Sequence, residues 1–180
     1  MKVILRALTA LAIALLLNVA NAEGLSPVID PTGVIEEPSK FHEKELMCLA
    51  KNIYYEAGSE SFEGKMAVAM VTLNRAESGQ FPRTLCGVIH QKTQISPHVI
   101  VCQFSWVCQG KTIRSAIGER WEEALQVARL VLFEGWRIPK LEDAMYFHAV
   151  HVNPRWGLPK VAKIGNHVFY KPRTPKLQSF

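Results

Sequence analysis

Apolar residues recur at helical spacing in three stretches of this chain. From Leu46 onward, Leu49, Ala50, Ile53 and Ala57 fall close to one line at about 100° per residue. They predict a first helix from about His42 to Ala57, stopped near Gly58-Ser59. In the next stretch Met66, Ala67, Val68, Ala69, Met70, Val71 and Leu73 cover nearly every side of a helix from Lys65 to about Glu77, entered through a Ser61 cap. A helix that is apolar all round is enclosed by its neighbours. Trp121, Leu125, Ala128 and Leu132 define a third helix, from about Glu119 to Glu134, which Gly135 ends and whose Glu122, Glu123 and Arg129 face solvent. Between the second and third helices, Phe81 to His90 turns at Pro82 into a short apolar piece.

After Pro139 the period changes. AMYFHAV (Ala144 to Val150) and GNHVFYK (Gly165 to Lys171) are short aromatic and β-branched runs that read as strands. Joined by the loop HVNPRWGLPK, they predict a small hairpin or antiparallel sheet. The fold class expected is therefore α+β, a mainly helical domain with a small antiparallel β element. At the front, Glu23 to about Phe41 carries Pro27, Pro31, Pro38 and Gly33 with no hydrophobic period and reads as an extended linker. The tail from Pro172 to Phe180 reads as loosely held.

The first 22 residues belong to a different class of pattern. Lys2 and Arg6 precede the apolar run Ala7 to Leu17 and the small-x-small site Ala20-Asn21-Ala22, as in a secretory signal peptide. The organisation expected is 1–22 signal peptide, 23–41 linker and 42–180 folded domain, exported to the periplasm or to the extracellular cell wall. The apolar run is shorter than the roughly 18 residues of a spanning helix, so no stable membrane anchor is expected. Without Lys2 and Arg6 the formal charge of +5 falls to about +3. These charges are scattered and no finger or helix-turn-helix signature is present, which argues against a nucleic-acid partner. A monomer without a cofactor is expected.

Four cysteines, Cys48, Cys86, Cys102 and Cys108, suit an oxidising compartment. Three pairings are open. The one favoured joins Cys102 to Cys108 across a short local loop, and therefore Cys48 to Cys86. Neither a CxxC nor an HExxH spacing occurs, so no metal site is expected.

One carboxyl group stands out. Glu56 lies about 20° from Leu49 on the helical wheel, at the flank of a buried stripe. A carboxyl that loses solvent there holds its proton nearer to neutral pH, which is how a general acid is made. Glu60 follows four residues later and would share its face on an unbroken helix, but Gly58 intervenes. Glu63 reads as a charge favoured at a helix start. The loop CQFSWVCQGK presents Phe104 and Trp106 beside Gln103 and Ser105. Rings on a closed loop serve either as a platform for pyranose faces or as ordinary packing.

These blocks together resemble a known family. CLAKNIYYEAGSESFEGKMAVAMVTLNR, FPRTLCGVIH, CQFSW, YFHAVHVNPRW and IGNHVFYK look like successive segments of the SleB-type cell wall hydrolases, the spore-cortex-lytic group, from roughly Leu46 to Lys171. The resemblance implies a lysozyme-like fold, peptidoglycan glycan strands as substrate, and Glu56 as the catalytic acid. It also places Tyr146 and His148 in the cleft. With Glu60, Gln103, Phe104, Ser105 and Trp106 they complete the expected substrate-binding set. The family usually reads Glu-Ala-Arg-Gly-Glu where this chain has Glu56-Ala57-Gly58-Ser59-Glu60. The reaction expected is lytic transglycosylation leaving 1,6-anhydro-muramic ends. The alternatives are an N-acetylmuramoyl-L-alanine amidase recruiting His148, His151 and His167 around a metal, and a non-catalytic peptidoglycan-binding module.

Overall fold

The computed structural model describes residues 28–29, 35–36, 38–111 and 118–173. The expected signal peptide and the tail from Thr174 lie outside them. The chain divides into two units, Met1–Pro38 and Ser39–Phe180. In the first, strand β1 (Val28–Ile29) pairs antiparallel with β2 (Ile35–Glu36).

In the second unit everything is arranged around one helix. Helix α1 (Pro38–Ala57) starts ahead of the expected His42, because the fixed φ of Pro38 suits a first helical turn. Helix α2 (Phe62–Glu77) is capped by Ser61, whose hydroxyl accepts from Gly64 N at 3.3 Å. It is buried without interruption from Gly64 to Leu73. One side, with Met66, Ala69 and Leu73, enters a core shared with α1, with α3 (Leu85–His90) and with α5 (Glu119–Phe133). The other side, with Ala67, Met70 and Val71, enters a second core made with Leu141, Ala144, Ile164 and Phe169. A helix apolar on all sides thus has a core on each side.

Its few polar residues each hold a different neighbour. Thr72 accepts from Asn52 Nδ2 of α1 at 3.1 Å, and Asn52 Oδ1 in turn accepts from Trp106 Nε1 at 3.0 Å. Asn74 donates to the carbonyls of Leu141 and Ala144, and Arg75 Nε donates to the carbonyl of Met145 at 2.7 Å. Lys65, 4% exposed, donates to the Glu60 carbonyl and to the Glu123 carboxylate of α5, both at 2.7 Å. Buried polar groups without partners are costly, so these contacts select one arrangement of the elements around α2.

The β element has three strands where two were expected. β5 (Tyr146–Ala149) and β7 (His167–Tyr170) are the predicted runs, paired antiparallel with Tyr146 opposite Tyr170 and His148 opposite Val168. β6 (Lys160–Ile164) begins at the last residue of the expected loop and pairs with the other edge of β7, giving the order β5-β7-β6. Its lysines hid the pattern: Lys160 and Lys163 interrupt Val161, Ala162 and Ile164. A hairpin of β3 (Lys92–Ser96) and β4 (Val99–Cys102) was also not anticipated. Nearly all of it is solvent-exposed, so it carries no buried face to pattern its sequence. After β4, within the expected disulfide loop, residues 105–108 form a helical turn, α4 (Ser105–Cys108). Among the described residues no helix is long and apolar enough to cross a membrane.

Both expected disulfides are present, Cys48–Cys86 and Cys102–Cys108. The first closes a loop 38 residues apart in sequence and the second one only six apart. Chain entropy therefore assigns about 4 kcal/mol to the first and about 2 kcal/mol to the second. Urea unfolding of Cys48→Ala/Cys86→Ala and of Cys102→Ala/Cys108→Ala should rank them in that order.

Candidate active site

Glu56 occupies the last turn of α1, one turn beyond Asn52. The bond from Asn52 to Trp106 fastens α4 against that same stretch of α1. The residues leading into α4 therefore stand over Glu56. On the far side, Arg75 fixes the start of β5 through the Met145 carbonyl. The result is a pocket of about 240 Å³ lined by Glu56, Arg75, Gln103, Phe104, Ser105, Tyr146, Phe147 and Trp156.

The two charged groups of this pocket are both perturbed, and burial is the larger cause for each. Burial raises the Glu56 carboxyl above the ordinary glutamate range, against the opposing pull of the Arg75 and Lys111 charges. Burial lowers Arg75 to about 10, against the favourable influence of Tyr146 and Glu56. Arg75 is 4% exposed, and its guanidinium lies over the rings of Phe81 at 5.3 Å, Phe104 at 5.5 Å and Tyr146 at 6.0 Å. The site thus holds a carboxyl inclined to keep its proton beside a cation that stabilises the carboxylate once the proton leaves. That is the electrostatic requirement of a general acid that later serves as a base.

Trp156 forms the outer wall. It is 42% exposed, and its indole is packed edge-on against Tyr146, His148 and Tyr170 at 6.2, 5.5 and 5.8 Å between ring centroids. The loop holding it is tightly specified. Arg155 takes a left-handed φ of 49° and Gly157 one of 62°, while the Arg173 guanidinium donates twice to the Gly157 carbonyl.

Comparison with known proteins gives the family and the fold. The profile described as Cell Wall Hydrolase matches residues 59–170. Spore cortex-lytic enzymes of Bacillus subtilis and Bacillus cereus are 31% and 29% identical over 134 and 136 residues, covering 73% and 74% of this chain. The chain spans only 39% and 47% of their own lengths. Among solved structures, the catalytic domain of the Bacillus cereus SleB protein superposes with a TM-score of 0.53 at 30% identity, over 72% of this chain and 91% of that one. The catalytic domain of the germination-specific lytic transglycosylase SleB from Bacillus anthracis gives 0.52, also at 30% identity, over 72% and 95%. The chain belongs to the cell wall hydrolase family. Its fold is the lysozyme-like α+β arrangement of the SleB catalytic domains.

Within this family fold, five of the expected site residues converge: Glu56, Gln103, Phe104, Ser105 and Tyr146 all line the pocket. Phe104 does so from the core, 3% exposed, with its ring occupied by Arg75 and by Phe147, so it is no sugar platform. Three expectations are corrected. Trp106 is 6% exposed, bonded to Asn52 and stacked on Tyr55 at 4.7 Å; it is a core residue. His148 does not line the pocket but supports Trp156 from behind, its two ring nitrogens 2.9 Å from the Ala149 carbonyl and 3.0 Å from the Tyr170 hydroxyl. Glu60 lies away from the Glu56 pocket, with its carboxylate accepting from the backbone and side-chain amides of Asn166 at 3.1 and 3.0 Å. Gly165, the preceding residue of that turn, has a φ of 54°, and a Cβ there would collide with the Glu60 carboxylate. Glu60 therefore clamps the β6–β7 turn onto the α1–α2 connection.

The histidines do not form a metal set. The β5–β7 register puts His148 opposite Val168 and Ala149 opposite His167, so His148 and His167 face opposite sides of the sheet. Among the described residues no three His, Cys, Asp or Glu side chains gather in a group suited to a metal ion. Burial lowers the His167 imidazole despite Glu60, whose carboxylate is 4.0 Å away.

Arg75 and Phe147, which also line the pocket, are not among the residues the sequence marks for the site. Arg75 stands in the last turn of α2, where the dipole favours any cation, so its position along the helix does not mark it. The available signal was its position on a helix enclosed on all sides, where an arginine must be partnered or used.

Two outcomes follow from these environments. Because burial raises the folded-state value of Glu56, the folded chain binds more protons than the unfolded one above the ordinary glutamate range, and stability falls as pH rises through that window. Glu56→Gln should therefore raise Tm at pH 7, on the order of 2–4 °C, with the gain vanishing below about pH 4 in calorimetric scans. Glu60→Ala should instead cost about 1–3 kcal/mol in urea unfolding by stranding the Asn166 amides, with the pH profile of activity unmoved.

Proposed function

We propose that this chain cleaves the glycosidic bond between N-acetylmuramic acid and N-acetylglucosamine in peptidoglycan, as an exported lytic transglycosylase that leaves 1,6-anhydro-muramic ends. The observation that carries this reading is the Glu56 carboxyl, sheltered in a pocket where burial outweighs two nearby cations in setting its proton affinity. Among the described residues it is also the only acidic one lining that pocket.

A single acid accounts for the reaction in two steps. Glu56 first gives its proton to the glycosidic oxygen as the bond from C1 breaks and positive charge develops on the sugar. The resulting carboxylate, beside Arg75, then accepts the proton of the muramic 6-hydroxyl as that oxygen bonds to C1. The product is the anhydro sugar, and the acid is restored. A hydrolase acting through a second carboxylate would need that group across the scissile bond. Glu60, the nearest candidate in sequence, is committed to Asn166. The relation to the Bacillus anthracis protein, whose name specifies lytic transglycosylase, supports the same choice. Trp156 offers the exposed ring on which a pyranose would stack.

Digestion of isolated sacculi tests this reading. Muropeptides ending in 1,6-anhydro-muramic acid are expected; reducing muramic ends would replace transglycosylation with hydrolysis, and free alanine amines would indicate an amidase. Glu56→Gln should reduce product release about 10²–10⁴-fold with the protein folded. In the active enzyme the rate should decline as pH rises through the raised Glu56 value, since only the protonated form can donate.

A further inference from the structure

Arg75 is more than the electrostatic partner of Glu56. Its Nε is taken by the Met145 carbonyl, but Nη1 is buried with no acceptor. The rings of Phe81, Phe104 and Tyr146 pack around the guanidinium, and ring faces do not replace a carbonyl or carboxylate oxygen as hydrogen-bond acceptors. An uncompensated buried cation is costly to the fold. Here that cation also lines the pocket beside the general acid.

The charge balance of the pocket points the same way. Lys111 adds a second positive influence on Glu56. When Glu56 carries the proton it needs for the first step, the two cations that act on it remain, and no other carboxylate among the described residues lines the pocket. An oxygen acceptor on the substrate, best an anionic one, meets that charge where Arg75 lines the pocket.

The two sugars of a peptidoglycan strand differ in one substituent. Both carry an acetamido group, but only the muramic residue bears a lactyl ether at C3. Its acyl oxygens belong to a free carboxylate in peptide-free glycan and to an amide in peptide-bearing glycan. We propose that Arg75 binds an acyl oxygen of this lactyl substituent and so makes the pocket selective for the muramic residue. The assignment rests on the peptidoglycan reading above and names the group that decides which sugar is placed over Glu56.

Binding by the Glu56→Gln protein tests this without turnover. Titration calorimetry would compare three glycans of equal length: peptide-free strands with lactyl carboxylates, peptide-bearing strands with lactyl amides, and chitin oligosaccharides, which lack the substituent. Peptide-free strands should bind at least tenfold more tightly than chitin oligosaccharides if the carboxylate is the group held. Equal gains for both kinds of peptidoglycan strand would assign the contact to the acyl oxygen irrespective of charge. Adding Arg75→Met should erase the advantage, and Arg75→Lys should reduce it to threefold or less by removing the planar fork. The comparison among ligands needs no change at Arg75, so it stands even if the methionine variant fails to fold. Equal affinity for all three glycans overturns the proposal, as does an advantage that survives undiminished in folded Arg75→Lys. Sacculus digestion by the unmodified protein runs in parallel. Cleavage without lactyl preference overturns this inference alone, whereas absence of both cleavage and binding overturns the glycosidase reading with it.

Discussion

The enclosure of α2 is the constraint from which the rest of the structure follows. A sixteen-residue helix buried almost throughout cannot lie on a surface, so α1, α3, α5 and the sheet must gather on its sides. Hydrophobic burial alone would tolerate sliding and rotation among such neighbours. The polar exceptions remove that freedom. Lys65, Thr72, Asn74 and Arg75 each reach a different partner, and each would leave a buried donor or acceptor unsatisfied if its partner shifted. Packing brings the elements together, and hydrogen bonding sets their register.

The geometry of the candidate site is a consequence of that registration. Asn52 lies between Thr72 and Trp106, and through it α2 determines where α4 sits against the last turn of α1. Arg75 determines where β5 begins. Glu56 lies between these two attachments, in a space neither wholly dry nor open to solvent. Its proton affinity is a compromise: burial raises it, and Arg75 and Lys111 hold it back. A deeper carboxyl would be too weak an acid to donate, and an exposed one would be ionised already. The same arginine that tempers the acid also anchors the strand, so fold stability and site chemistry share a residue.

Glu60 shows how a carboxylate close in sequence can take a different set of partners. The turn at Gly58-Ser59 separates it from the face of α1 that carries Glu56, and the β6–β7 turn packs directly against it. In this member of the cell wall hydrolase family the second acid holds the sheet in place. The sheet in turn presents Tyr146, Phe147 and the supports of Trp156 to the pocket.

By itself the sequence determined the helices and singled out one carboxyl. Periodicity placed α1, α2 and α5 to within a few residues, because burial of a helix face leaves a regular trace; cysteine spacing favoured both disulfides; and the position of Glu56 beside a buried stripe marked it as a carboxyl short of water. What lacked a trace was anything set by contacts distant in the chain. β6 and the exposed β3–β4 hairpin carry too little buried pattern to be read, and Trp106 and Trp156 are indistinguishable as tryptophans. Only tertiary structure decided that one enters the core, where Asn52 accepts its indole N–H, while the other stands at the pocket rim. It likewise decided that Arg75 lines the Glu56 pocket and Glu60 does not. The reason is physical: local periodicity records which face of an element is dry, whereas the role of a polar side chain depends on which partner, many residues away, is brought within hydrogen-bonding distance.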